Sequence, residues 1–223
     1  GKFASMFLTQ VPTMAGLEVT AIADLNPDGA RKRLAHVGWD EARIGATTLI
    51  DDGLAIAGRD DVDVLIEATG DPVAGVRHAL AAIDAGLRFA DAFPGHEHAV
   101  AVRADAAEAL FAAGDLIRAA DQAGLLAAMD PPVPATHLKT ALLVLGHARF
   151  DTGGYADAEQ AYRRLLTVVD ADDDVHGPVR ERLAASIYSQ GQAEAAAGAT
   201  DAAIDHYLRV ALEIPDSPIA ATA

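Results

Sequence analysis

Along the first ninety positions, apolar residues come in short runs separated by helical stretches. Val19-Thr20-Ala21-Ile22-Ala23-Asp24 is β-rich and closed by an acid, which predicts a buried strand. Asn26-Pro27-Asp28 then opens a helix. The Asn26 side chain suits an N-cap, and Pro27 suits a first turn whose N–H groups lack intrahelical partners. That helix runs through Arg31, Leu34 and Ala35 and stops near Gly38. A short strand is expected around Thr48-Leu49-Ile50, then a helix from Asp51 or Asp52 to Ala57, then a strand over residues 62–68 closed by Thr69-Gly70. Asp71-Pro72 repeats the cap-plus-proline signal and opens a helix ending near Gly86. Strands alternating with helices of this length imply βαβ units around a parallel sheet.

Beyond residue 93 the strand pattern disappears. Pro94-Gly95 is a turn signal and marks the expected boundary between a first domain at 1–93 and a second at 94–223. Helix follows helix there, with internal similarity. The segments align on Gly114, Gly153 and Gly198, which are 39 and 45 residues apart. Five residues after each glycine comes Ala119, Ala158 or Ala203, and four further on come Ala123, Tyr162 and Tyr207. Pro131, Asp170 and Pro215 stand where the second helix of each unit should end. The expected fold class is therefore α/β plus all-α: an incomplete parallel-sheet domain followed by a solenoid of helix, glycine turn, helix and breaker.

Composition narrows the partners. Seventeen basic against 33 acidic residues give a formal net charge of −16, which repels phosphate backbones and argues against nucleic acid or an anionic membrane. The chain has no cysteine, which removes disulfides, thiolate metal sites and cysteine nucleophiles. No run reaches the roughly 20 apolar residues of a membrane helix. Gly1-Lys2-Phe3-Ala4-Ser5-Met6-Phe7-Leu8 is not a convincing signal peptide, so a cytoplasmic location is expected.

The first half resembles the NAD(P)-binding Rossmann domain of homoserine-dehydrogenase-like oxidoreductases over roughly residues 1–90. Gly1-Lys2-Phe3-Ala4 is similar to the second half of that family's glycine-rich turn, with Gly1 where the backbone approaches the pyrophosphate and Ala4 at the third small position. The helix behind them would offer free N–H groups and a positive dipole end to a phosphate. Asp24 falls where an acid accepts the ribose hydroxyls, which favours NAD over NADP, and Glu67-Ala68-Thr69-Gly70 is similar to the loop beside the cofactor. The resemblance thus implies cofactor contacts at Gly1, Lys2, Phe3, Ala4, Asp24, Thr69 and Gly70. The family's first strand and first glycine have no counterpart here. In the order 3-2-1-4 that strand would lie between those at 19–24 and 62–68. The unpaired edge left behind would admit a second copy of the chain. Residues 88–93 stand where a fifth strand would begin and form a poor, charged version of one. No catalytic residue of the family can be placed, so enzyme activity stays open, with weak or absent dinucleotide binding and no turnover as the expectation.

Residues from about 95 onward resemble tetratricopeptide repeats (TPR), all-helical protein-interaction scaffolds. The middle unit carries Leu145-Gly146, Gly153, Tyr155, Ala158 and Tyr162 at the family's spacings, and the third keeps Gly191, Ala203, Tyr207 and Pro215. The first keeps Gly114, Ala119 and Pro131 but has Ala107 and Ala123 at the helix-contact and aromatic positions. Small residues let the two helices of a unit approach closely, the tyrosine is expected to pack into the neighbouring unit, and proline stops the second helix. The resemblance implies a protein or peptide partner on the concave face, with Arg103, Lys139, His147, Arg149, Arg180 and Arg182 as candidates. A cationic subset in an acidic domain would suit a carboxylate-bearing peptide.

Other signals carry less. His96-Glu97-His98 reads as a loop without a third metal ligand. Asp170-Ala171-Asp172-Asp173-Asp174 lacks the glycine and terminal glutamate of a calcium loop and reads as a solvated connector. Ser186, Ser189 and Ser217 have no nucleophile-elbow context, and Trp39 reads as a packing residue.

Overall fold

The computed structural model describes residues 2–222. Two compact units result, the first ending at Arg88 and the second beginning at Phe89. The described residues are mostly helical, with one small parallel sheet.

The first unit comprises α1 (Lys2–Gln10), β1 (Ala21–Ala23), α2 (Pro27–His36), α3 (Glu41–Ala46), β2 (Thr48–Ile50), α4 (Gly53–Ala57) and most of α5 (Pro72–Ala92). β1 and β2 run parallel, with Ala21 opposite Thr48, Ile22 opposite Leu49 and Ala23 opposite Ile50. Local signals set the helix starts. The Asn26 side chain accepts the Gly29 N–H at 2.9 Å. Asp52 accepts from Leu54 and Ala55 at 2.9 and 3.3 Å, so α4 starts where its sequence signal stood. α2 stops at Gly38, whose φ of +93° only glycine adopts at little cost. The N–H groups of Gly38 and Trp39 then turn back onto the carbonyls of Ala35 and Leu34. Trp39 is buried with Val11, Leu34 and Ile44, and its Nε1 donates to the Leu8 carbonyl at 2.7 Å, which ties α1 to this core.

Three expectations fail here. Residues 62–68 form no strand. The sheet has only β1 and β2, and a strand without a hydrogen-bonded neighbour leaves its backbone groups unsatisfied. Val64 and Ile66 accordingly stand exposed. α3 fills a stretch read as connection, capped by Asp40, which accepts the Arg43 N–H at 2.7 Å. α5 runs through Gly86 to Ala92, so residues 88–93 supply no fifth strand. Ile83, Leu87 and Ala90 keep helical spacing, and Leu87 and Ala90 are buried. That burial outweighs the roughly 1 kcal/mol a mid-helix glycine costs.

The second unit holds three helical hairpins: α6 (Ala99–Ala112) with α7 (Leu116–Ala127), α8 (Ala135–Asp151) with α9 (Tyr155–Leu166), and α10 (His176–Ala196) with α11 (Thr200–Glu213). Each turn is built alike. Gly114, Gly153 and Gly198 have φ of 81°, 82° and 81°. Each glycine N–H returns to the carbonyl three residues back, and the next N–H to the carbonyl five residues back. α7, α9 and α11 end before Pro131, Asp170 and Pro215. Seven residues before each turn glycine the paired helices meet. A Cβ on Gly191 would lie 2.6 Å from Cε1 of Tyr207, and one on Gly146 would run into the Tyr162 ring. The tyrosines thus seat against their own hairpin's glycine, where packing into the neighbouring unit was expected. In the first hairpin Ala107 and Ala123 are both fully buried instead. None of the described helices is long and apolar enough to cross a membrane.

Candidate functional site

Gly1 lies outside the described residues. Lys2, Phe3 and Ala4 form the first turn of α1. Asp24 follows β1, with its backbone N–H on the Ile50 carbonyl. Its carboxylate is already engaged: Oδ1 accepts the Asn26 N–H at 2.8 Å, and Oδ2 meets Arg33 at 2.5 Å. Thr69 and Gly70 shape the turn entering α5. The Thr69 N–H donates to Glu67 Oε1 at 2.6 Å, the Asp71 N–H to Thr69 Oγ1 at 3.1 Å, and Gly70 has φ +73°. Glu67 Oε2 lies 2.5 Å from Nδ1 of His78. The Thr69 bonds and then His78 hold the Glu67 carboxyl at about 2. At the start of α5 the Asp71 carboxylate accepts the Val73 N–H at 2.9 Å, so an acid already caps the N–H groups a phosphate would seek.

In the second unit, three of the candidate cations are bound within the protein. Lys139 Nζ lies 2.7 and 2.8 Å from the Asp173 carboxylate. Asp173 also accepts the Val175 N–H, and these bonds, Lys139 first, hold its carboxyl at about 2. The acidic run therefore anchors α8 and starts α10, where a merely solvated connector was expected. Arg180 grips Asp216 with two bonds of 2.7 and 2.8 Å. Arg103 donates to Asp91 at 2.6 Å and also to Gln122. Arg149 has only loose neighbours, Asp121 at 3.8 Å and Asp157 at 4.0 Å.

His147 and Arg182 belong to a strip drawn from the first helix of every hairpin. Phe111 of α6 faces His147 of α8 with ring centroids 6.1 Å apart. One turn along α8, Phe150 carries the Arg182 guanidinium of α10 at 5.3 Å from its ring centroid and meets Tyr155 at 5.3 Å. Among the described residues Arg182 has no ion-pair partner. Burial first, and then the Arg182 charge, push His147 below its usual value, while burial pushes Tyr162 up. Both are therefore neutral at pH 7, and the Tyr162 hydroxyl shares a hydrogen bond of 2.8 Å with Nδ1 of His147. The His147 ring thus stands beside a cation and two aromatic rings, Phe111 and Tyr162. An open cleft of about 320 Å³ adjoins the strip, lined by Tyr155, Asp157, Gln190, Glu194 and His206.

Glu159 sits behind the cleft. Its Oε2 accepts from Gln190 at 2.7 Å and its Oε1 from Arg163 at 2.8 Å and from Arg209. Burial raises its carboxyl, yet the hydrogen bonds from Gln190, Arg163 and Arg209 overcome it and hold the group below the ordinary value. The buried serines are structural: Ser186 donates to the Arg182 carbonyl at 2.8 Å, and Ser217 donates to Glu181 at 2.7 Å. Among the described residues no three potential ligands gather to hold a metal ion.

Sequence reasoning named His147 and Arg182 as candidates and Tyr155 only as a repeat position, and it missed Phe111, Phe150 and Glu159 as members of the site. The turn alignment could have found the aromatics, since Phe111 and Phe150 both stand three residues before the turn glycine. Compared with protein-family models, curated proteins and solved structures, this chain matches none.

Proposed function

We propose that the chain is a protein-interaction scaffold whose TPR-like hairpins hold an acidic peptide along the strip of Phe111, His147, Phe150 and Arg182. The observation that carries this reading is Arg182 itself: a guanidinium lying on an aromatic face with no carboxylate of its own, in a unit where most cations are paired. A partner carboxylate would complete it, and the aromatic faces would take apolar side chains beside the charge. The test is fluorescence anisotropy with a labelled peptide of alternating glutamate and phenylalanine. Arg182→Gln should weaken binding by about tenfold, the scale of one lost charge-assisted contact. Equal binding by both proteins would refute the reading.

On this proposal the first unit is a Rossmann-like remnant without dehydrogenase turnover. The alternative, a nucleotide-binding oxidoreductase subunit completed by another chain, draws on the parallel pair and on Asp24 at the end of β1. Against it stand the Asp24 carboxylate, occupied by Asn26 and Arg33, and the acid capping α5. A dinucleotide would have to displace those partners and bring its pyrophosphate near carboxylates. Calorimetric titration with NAD separates the two: no saturation at millimolar cofactor is expected, and micromolar affinity would restore the alternative.

A further inference from the structure

A second cleft opens at the other end of α6 from Phe111, apart from the aromatic strip, and all its residues belong to the second unit. It holds about 250 Å³ between the last turn of α5, the start of α6 and the end of α7. Ala90, Val100, Leu125 and Met129 supply apolar walls, and Asp91 and Arg103 supply charge. Ala90 is buried, whereas Leu125 and Met129 stand open, 54% and 37% exposed. Open apolar side chains around a concavity are the usual lining of a ligand site.

Arg103 decides what fits. Its side chain is only 13% exposed, so its charge is largely withdrawn from water. One terminal nitrogen donates to Asp91 at 2.6 Å and the other to Gln122. A guanidinium has five N–H donors, which leaves three with no partner among the described residues. Asp91 is a weak counter-ion, because it offers one oxygen and is itself 68% exposed. The cleft therefore sets apolar walls beside a buried cation whose donors are partly unused. An aliphatic carboxylate answers both: its head takes two parallel N–H bonds, and its chain covers the walls. Volume limits its size. The cleft exceeds the roughly 150 Å³ that accepts a benzene ring and falls short of a typical drug-sized site. The geometry points to a binding site for a small monocarboxylate, anchored on Arg103 and bearing an apolar tail of about six to eight carbons. Its carboxylate competes with Asp91 for one guanidinium, which fixes the sign of the test.

The probes are octanoate and octylammonium, alike in chain and opposite in charge, titrated calorimetrically into the full chain. The net charge of −16 favours the ammonium ion at long range, so tighter octanoate binding reports on the local cation. Octanoate, with about ten non-hydrogen atoms, should bind in roughly the millimolar to tens-of-micromolar range. It should bind about tenfold more tightly than octylammonium, and Arg103→Gln should remove that factor. Asp91→Asn should tighten octanoate about threefold, because the competing acid is gone. Leu125→Ser should weaken it about threefold through the lost wall. Asp91 and Leu125 are exposed, so their variants should keep the native far-UV circular dichroism and read the site whether or not Arg103→Gln folds. Octylammonium bound as tightly as octanoate, no saturable octanoate binding, or an affinity unmoved by Leu125→Ser would overturn the proposal. So would weaker binding by Asp91→Asn, the mark of a purely structural ion pair. Arg182→Gln should leave octanoate binding unchanged, so the outcome is independent of the strip proposed for acidic peptides.

Discussion

The two units solve the same problem, burying an alanine-rich, aromatic-poor sequence, in opposite ways. The first uses several kinds of local device: side-chain caps from asparagine and aspartate, one glycine stop and one tryptophan anchored to a carbonyl. The second uses one device three times, a left-handed glycine turn with a close helix crossing behind it. The packing differs accordingly. Among the largest fully buried side chains of the described residues, Leu34 alone belongs to the first unit. Leu25, Val64, Val73 and Val76 of that unit remain exposed. A repeated unit lets one successful packing solution be reused, whereas a sheet needs its neighbouring strands before any of it is well buried.

This contrast can be broken experimentally, and Trp39 makes it convenient: it is the sole tryptophan, so its emission reports on the first unit, while far-UV circular dichroism reports mainly on the hairpins. The largest effect is expected from Gly146→Ala, whose new methyl group collides with the Tyr162 ring. A loss of about 3 kcal/mol should appear in the urea transition followed by circular dichroism, with the Trp39 transition unmoved. If both shift together, the units are one cooperative block and the contrast fails. Glu159→Gln comes next, at about 2 kcal/mol, because Arg163, Arg209 and Gln190 lose a charged acceptor. The sign with pH follows from the lowered carboxyl. Its contribution is fully present above the unfolded value of about 4.3 and fades as pH falls through the lower folded value. Acid titration of stability should therefore be shallower in the variant. The smallest effect is Asn26→Ala, about 1 kcal/mol for a lost cap, visible in Trp39 emission and absent from the hairpin transition.

What could be read from the sequence alone divides along the same line. The caps at Asn26 and Asp52, the stop at Gly38 and the glycine turns are encoded within a few residues, and each was found where its signal stood. The strand at 62–68 failed because strand formation depends on a neighbour that its own residues do not specify. Gly86 misled for a related reason: burial of Leu87 and Ala90, a tertiary matter, overrode a local breaker. At the candidate site the residue types were visible but their pairing was not. Lys139 and Arg180 find acids 34 and 36 residues away, and no short motif announces such a bond. Only with those pairs assigned does Arg182 stand out.

The three turn glycines, alike in φ to within a degree, have a consequence for how such a chain changes over generations. Within a hairpin, an inserted or deleted residue would displace the glycine from the one position whose backbone demands it. Between hairpins the connections already differ, at residues 128–134 and 167–175, and tolerate it. Length variation is thereby channelled into whole modules and their joints. A gene segment encoding one hairpin with its connector can be copied or lost in frame.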